Sequence, residues 1–201
     1  MKKVVQLIST MNTGGAETMV RDYALLMEQE KIDMKIIALS KHYDSVNEKV
    51  LQEHGIPIIF LSELKYGNRE DLNFVQKIIR RISRYYYLRK IILREKPDVL
   101  HVHLHIGHYL KVLPLKKLNM KLLYTVHNVP ERFFRKNPGI SQKYFEYREV
   151  KRLVNQHGMR LIALHDTMNR QLRELFSTDQ VITVNNGIEM ERFCPDLYDR
   201  E

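Results

Sequence analysis

Short apolar runs rich in β-branched residues and Leu alternate with longer amphipathic stretches along the chain. This alternation constrains the fold more than any other feature. The runs fall at 3–9, 34–39, 56–61, 98–103, 121–126, 160–164 and 180–185, with helical periodicity at 15–30, 44–53, 71–95, 107–117, 141–156 and 167–176. The runs are continuously apolar rather than alternating, the pattern of strands covered on both faces of a parallel sheet. Repeated strand–helix order with crossover-length connections predicts an α/β fold: a Rossmann-like, doubly wound, mainly parallel seven-stranded sheet with helices on both faces. With 201 residues, 44% of them hydrophobic, the chain can bury one large core. No repeat, low-complexity tract or internal linker divides it, so 1–201 reads as one domain.

The opening "MKKVVQLIST" imitates a signal peptide, but its apolar run is too short and "NTGGAE" follows it; it reads as a first strand. No stretch approaches the roughly 18 apolar residues of a membrane-spanning helix. One cysteine, Cys194, excludes an internal disulfide and fits a reducing cytosol. The formal charge of +9 is concentrated: from Lys77 to Lys96 there are eight Lys or Arg against Glu95 alone.

Ligands of doubly wound sheets bind beyond the carboxyl ends of the strands, near the switch in strand order. The segments there are "TMNTGG", "HLH", "HN", "HD" and "NNG". Gly14 and Gly15 precede the first helix, whose N-terminus offers unpaired N–H groups to phosphate. A tight βα turn explains the pair equally well. The dinucleotide and P-loop fingerprints are absent, which disfavours a nicotinamide dehydrogenase. His101, His103 and His105 alternate to one side if their strand continues. They suggest a metal site, but the nearest acidic residue, Asp98, stands at the other end of the strand. The favoured reading hydrogen-bonds His101 within the sheet and lets His103 reach the cleft. His127, just past the next strand, either binds a sugar hydroxyl or transfers a proton, or is a loop or capping residue. Asp166 or Thr167 caps the following helix, and His165 finds no assignment.

The basic segment is a helix with an apolar stripe of Ile78, Ile82, Tyr85, Leu88 and Ile92, extended by Ile79, Tyr86 and Leu93. Arg81 and Arg89 break that stripe. Opposite it lie Lys77, Arg80, Arg84, Lys90 and Arg94, together with Tyr87 and Ile91. Such a face suits an anionic membrane surface; a solvated helix packed on the sheet is the plainer reading. Nucleic acid is disfavoured, because no binding motif accompanies the charge.

"LISTMNTGGAET", "KPDVLHVHLH", "LLYTVHN", "LIALHDTM" and "VITVNNGIEMERFCP" occur in this order. With them the chain resembles, over essentially its whole length, the N-terminal domain of family 4 glycosyltransferases. The resemblance implies one half of a GT-B fold, in which two Rossmann-like domains face each other across a cleft. It implies sugar transfer from a nucleotide-sugar donor to an acceptor, with retention of configuration and without a metal or other cofactor. Gly14 and Gly15 would then lie near the donor phosphates and the acceptor. His127 would contact the donor sugar as the catalytic residue, with Asn128 beside it, and His103 would line the acceptor side. Asn186 and Gly187 would form the turn that opens the interdomain connection. His165 departs from the family, which usually shows Ser there. The implied C-terminal domain, with most of the nucleotide site and an acidic motif, is missing from this chain, so the chain alone is expected to be inactive. The expected partners are a nucleotide-sugar donor, a saccharide or lipid-linked acceptor, that second domain and an anionic membrane surface. The expected setting is the cytoplasm, at the inner face of the membrane, in bacterial cell-surface polysaccharide or glycolipid synthesis. Two rivals stand beside it: a non-catalytic Rossmann-like binding module, and a metal-dependent hydrolase built on His101, His103 and His127.

Overall fold

The computed structural model describes residues 2–41, 45–67, 69 and 71–185. Seven strands form one sheet: β1 (Lys3–Ile8), β2 (Asp33–Ala38), β3 (Ile58–Phe60), β4 (Val99–His103), β5 (Lys121–Thr125), β6 (Arg160–Ala163) and β7 (Val181–Thr183). Their order is β3-β2-β1-β4-β5-β6-β7, and every neighbouring pair is parallel. This is the doubly wound sheet read from the sequence, with the order switching between β1 and β4. The helices are α1 (Gly15–Gln29), α2 (Val46–Glu53), α3 (Glu63–Tyr66), α4 (Phe74–Glu95), α5 (Pro130–Phe133), α6 (Gln142–His157) and α7 (Asp166–Phe176).

Strand alternation sends residues to two cores. Val5, Leu7, Leu100, Val102 and Tyr124 meet Leu88 and Ile92 of α4, Val150 and Leu153 of α6, and Leu172 and Phe176 of α7. On the opposite face Ile8, Ile36 and Ala38 meet Val20 and Ala24 of α1 and Leu51 of α2. Side-chain caps fix several helix starts. Asn73 and Gln76 form a reciprocal capping box on α4, and Ser141 accepts from the Tyr144 N–H on α6.

The helix expected at 107–117 is instead two 3₁₀ turns, Gly107–Val112 and Leu115–Lys117. Pro114 lacks an N–H and separates them. The first N–H groups turn outward: Gly107 and His108 donate to the Glu146 carboxylate at 2.6 and 3.1 Å. Glu146 is fully buried and also receives the Tyr124 hydroxyl at 2.8 Å and His108 Nδ1 at 2.6 Å. A buried carboxylate is tolerated only with such a complement of donors. Burial and this neighbouring charge push the Tyr124 phenol well above its ordinary value.

Helix α4 has 22 residues and β4 only five, so the helix is about 33 Å long against about 17 Å of strand. Its last turn leads into β4, and its buried residues, Leu88, Ile91 and Ile92, lie in the second half. The first half overhangs the carboxyl edge of the sheet. It exposes Phe74 (77%), Val75, Ile78, Ile79, Ile82 (62%) and Tyr86. This corrects the membrane face expected from periodicity. Ile91 is buried in the core, and Tyr87 packs partly buried against it. Arg80 and Arg84 are half-buried; Arg80 donates to the Arg69 carbonyl, and Arg84 Nε is buried. Lys90 is exposed, and Arg94, also exposed, grips Glu95 at 2.7–3.0 Å. Periodicity assumed a sheet under the whole helix; the overhang leaves the nominal core stripe uncovered instead. Among the described residues no helix is long and apolar enough to cross a membrane.

Candidate active site

β1, β4 and β5 are neighbours, so the segments leaving them share one edge of the sheet at the switch point. On the face that α1 covers, Gln6 of β1 stands in register with His101, and His103 stands in register with Thr125. His101 Nε2 lies 2.7 Å from Thr125 Oγ1. Gln6 Oε1 lies 2.6 Å from His103 Nε2, and His103 Nδ1 lies 2.9 Å from His127 Nε2. Gln6 and His103 are wholly buried and His101 nearly so, whereas His127 is partly exposed.

This chain has a polarity. A carbonyl oxygen can only accept, so His103 carries its proton on Nε2 and turns a lone pair at Nδ1 toward His127. His127 must then donate from Nε2, which leaves the Nδ1 lone pair of His127 as its free hydrogen-bonding group. Burial lowers all three imidazole pKa values. His127 falls to about 4 and His101 to about 3, and His103 lies well below the ordinary histidine range. The cluster is therefore neutral at pH 7. His127 is a weak base suited to accepting a hydrogen bond from a hydroxyl, not to shuttling a proton.

His103 corrects the expectation that it reaches the cleft: it is buried and acts through His127. His105 leaves the line of the other two because β4 ends at His103 and Leu104 turns the chain at φ 62°. Its ring instead lies 5.3 Å from that of Phe133. Among the described residues no group of three or more His, Cys, Asp or Glu is placed to hold a metal ion. Gln6 was missed. Its only signal was a lone polar residue inside a buried apolar run.

The glycine pair is informative through what the fold does not require. Gly14 is the N-cap of α1, extended at φ −146° and ψ 164°, a conformation open to any residue. A Cβ on Gly15 would meet nothing within 4 Å, and the atoms nearest one on Gly14 belong to the flexible Glu17 side chain. Neither glycine serves a strained turn. Among the described residues no side chain caps α1, although Ser, Asp or Asn would stabilise this position. The N–H groups of Gly15, Ala16 and Glu17 lack intrahelical acceptors by helix geometry. Among the described residues no side chain hydrogen-bonds to these N–H groups, and the Glu17 carboxylate folds back against Gly14 where an anion would approach. Glu17 also accepts from the Thr10 hydroxyl at 3.1 Å.

Asn128 accepts from the Val129 N–H at 2.9 Å and lines a cavity of about 480 Å³ with His105, Arg132, Phe133, Gln142 and Lys143. His165 proves to be the cap of α7. Its Nδ1 accepts from the Met168 N–H at 3.2 Å, the role expected of Asp166 or Thr167. The Nδ1 lone pair thus does what a Ser oxygen would do. Asn186 and Gly187 lie outside the described residues.

The family model for Glycosyltransferase Family 4 matches residues 13–192, and the chain belongs to that family. No curated protein sequence matches it significantly. Among solved structures it is similar to a sucrose-phosphate synthase from Thermosynechococcus elongatus, with a TM-score of 0.65 at 10% identity over 94% of this chain and 49% of the other. It is also similar to the lipopolysaccharide outer core galactosyltransferase WaaB (TM-score 0.62, 14% identity, 92% and 46% covered) and to TcCGT1 in complex with UDP (TM-score 0.54, 12% identity, 92% and 50% covered). The chain spans about half the length of these proteins. At such identities the likeness establishes the shared α/β fold.

Proposed function

We propose that this chain is the acceptor-side, N-terminal domain of a retaining glycosyltransferase. A second domain would carry most of a nucleotide-sugar donor across the cleft. The observation that carries the reading is the Gln6–His103–His127 chain at the strand ends of a family 4 fold, whose first helix begins at the same sheet edge with no side-chain cap among the described residues. The α1 terminus supplies preorganised N–H dipoles for the charge that builds on the departing diphosphate. The His127 lone pair accepts a hydrogen bond from a donor-sugar hydroxyl and orients the ring. As the anomeric C–O bond to phosphate breaks, the acceptor hydroxyl oxygen bonds to the anomeric carbon on the same face, and its proton passes to the departing diphosphate oxygen. Closure of the two domains excludes water that would otherwise hydrolyse the donor. No metal or other cofactor is part of this scheme.

The overhanging half of α4 supports work at a membrane surface. Its exposed aliphatic and aromatic side chains alternate with Lys77, Arg80 and Arg81, which suits shallow insertion among anionic headgroups. We accordingly place the protein in the cytoplasm at the inner face of the membrane, acting on cell-surface polysaccharide or glycolipid precursors.

The direct test is turnover of a protein that joins this chain to its second domain. His127→Ala should lower kcat by roughly 10²-fold or more, and the configuration of the product read by NMR should match the donor's. Near-normal turnover would remove His127 from the mechanism, and inversion would remove the retaining assignment.

A further inference from the structure

A groove of about 740 Å³ lies between the overhanging part of α4, the 3₁₀ segment and the start of α6. Its walls include Arg81, Tyr85, Lys111, Ile140, Phe145 and Arg148. Four of its side chains are Lys or Arg, and its carboxylate, Glu149, is already held by Arg152 through two contacts at 2.5 and 3.2 Å. Arg81, Lys111 and Arg148 are exposed and have no carboxylate partner among the described residues. Lys111 sits 5.0 Å over the ring of Tyr85, which itself stacks on Tyr109 at 4.3 Å, and Arg148 lies 5.7 Å from Tyr144. The groove therefore holds three surplus positive charges on a firm aromatic floor. Three cations that line one concave site favour an anion there, and guanidinium groups suit phosphate oxygens.

Apolar residues stand at the mouth. Ile140 is fully exposed and Phe145 half exposed, and both line the groove; Ile78 and Ile82 of α4 are exposed beside Arg81. An ion alone leaves these side chains in water, whereas an amphiphile covers them while its headgroup meets the cations. Gln142 also belongs to the cavity that Asn128 lines. The two hollows thus adjoin at Gln142, and side by side they make a trough with Asn128 in one half and the basic groove in the other.

We propose that this trough is the acceptor site, and that the acceptor is an amphiphile whose phosphate or diphosphate lies among Arg81, Lys111 and Arg148. Its tail follows the exposed stripe of α4, and its reacting hydroxyl points along the trough toward His127. This deepens the glycosyltransferase reading by naming an acceptor class, and rests on that reading only for the chemistry at the hydroxyl.

The test uses the full 201-residue chain and geranyl diphosphate as a soluble probe, with inorganic pyrophosphate and geraniol as its separated halves. Titration followed by ¹⁵N–¹H NMR should shift the backbone amides of 107–112 and 142–149, and geranyl diphosphate should bind more tightly than either half. Arg81→Glu with Arg148→Glu should weaken it roughly tenfold or more. Lys2→Glu with Lys49→Glu changes the net charge equally at exposed sites outside the groove lining and should leave affinity unchanged. Shifts elsewhere, equal loss in both double variants, or equal binding of pyrophosphate would overturn the proposal, the last marking a mere anion site. Sugar transfer is not read in this titration. Groove binding without transfer by the two-domain protein would sink the enzymatic reading alone, and transfer to a neutral saccharide without groove binding would sink this one alone.

Discussion

Replacing Gln6 with Leu tests the polarity of the histidine chain with no substrate at hand. Gln6 Oε1 is the acceptor for His103 Nε2 at 2.6 Å, in a place where both residues are wholly buried. Without that oxygen, a buried N–H has no partner, which costs about 1–3 kcal/mol. Two effects reduce the loss. Gln6 Nε2 is itself buried without a partner, so Leu removes one unsatisfied group. His103 can also move its proton to Nδ1 and donate to His127, leaving only a bare lone pair at Nε2. The expected net loss is about 1 kcal/mol, or roughly 2–4 °C in Tm for a chain of this size. The tautomers change more sharply than the stability. In the parent, His127 carries its proton on Nε2; in Gln6→Leu it should carry it on Nδ1 and present a donor where it had presented an acceptor. Long-range ¹⁵N–¹H correlation spectra at pH 7 separate protonated from bare ring nitrogens directly. The reasoning is refuted if His127 in the parent already bears its proton on Nδ1, or if Gln6→Leu leaves both tautomers as they were. In the two-domain protein the reversal should lower turnover, while Gln6→Glu, which keeps an acceptor oxygen, should retain the His127 tautomer.

Three further predictions rest on particular geometry. The histidine cluster makes stability depend on pH: burial holds His127 at about 4 and His101 at about 3, whereas both sit near 6.5 when unfolded. The unfolded chain binds more protons in this window, so stability is fully present above pH 6.5 and declines as pH falls toward 4. His127→Asn should flatten that decline by up to about 1.4 kcal/mol per pH unit, read by urea unfolding at pH 7 and pH 5; parallel curves would show that His127 is not held neutral. Gly15→Ala enters open space at the first turn of a helix and should raise stability by about 0.5–1 kcal/mol. Donor affinity of the two-domain protein should fall at the same time, and unchanged affinity would return the glycine to a purely local role. Glu146→Ala strands the Tyr124 hydroxyl and the Gly107 N–H in the interior and should cost about 3–5 kcal/mol. A loss below about 1 kcal/mol would mean that the 3₁₀ segment is held by packing alone.

The sequence by itself determined the sheet. Continuous apolar runs and crossover-length intervals leave a chain little choice but a parallel sheet covered on both faces, and the strand ends mark the loops that carry Gly14, Gly15, His127 and Asn128. Those signals are local: periodicity and turn chemistry act within a few residues. What needed tertiary structure joins residues distant along the chain. Gln6 meets His103 across 97 positions, and only the β1–β4 pairing makes an unremarkable strand glutamine the group that orients two histidines. Glu146 organises a segment 38 positions away, turning an expected helix into 3₁₀ turns. The face of α4 open to water was likewise a matter of what lies beneath it. Periodicity gives the angular position of each side chain but not where the sheet ends, and an overhanging helix exposes the stripe that a longer sheet would have buried.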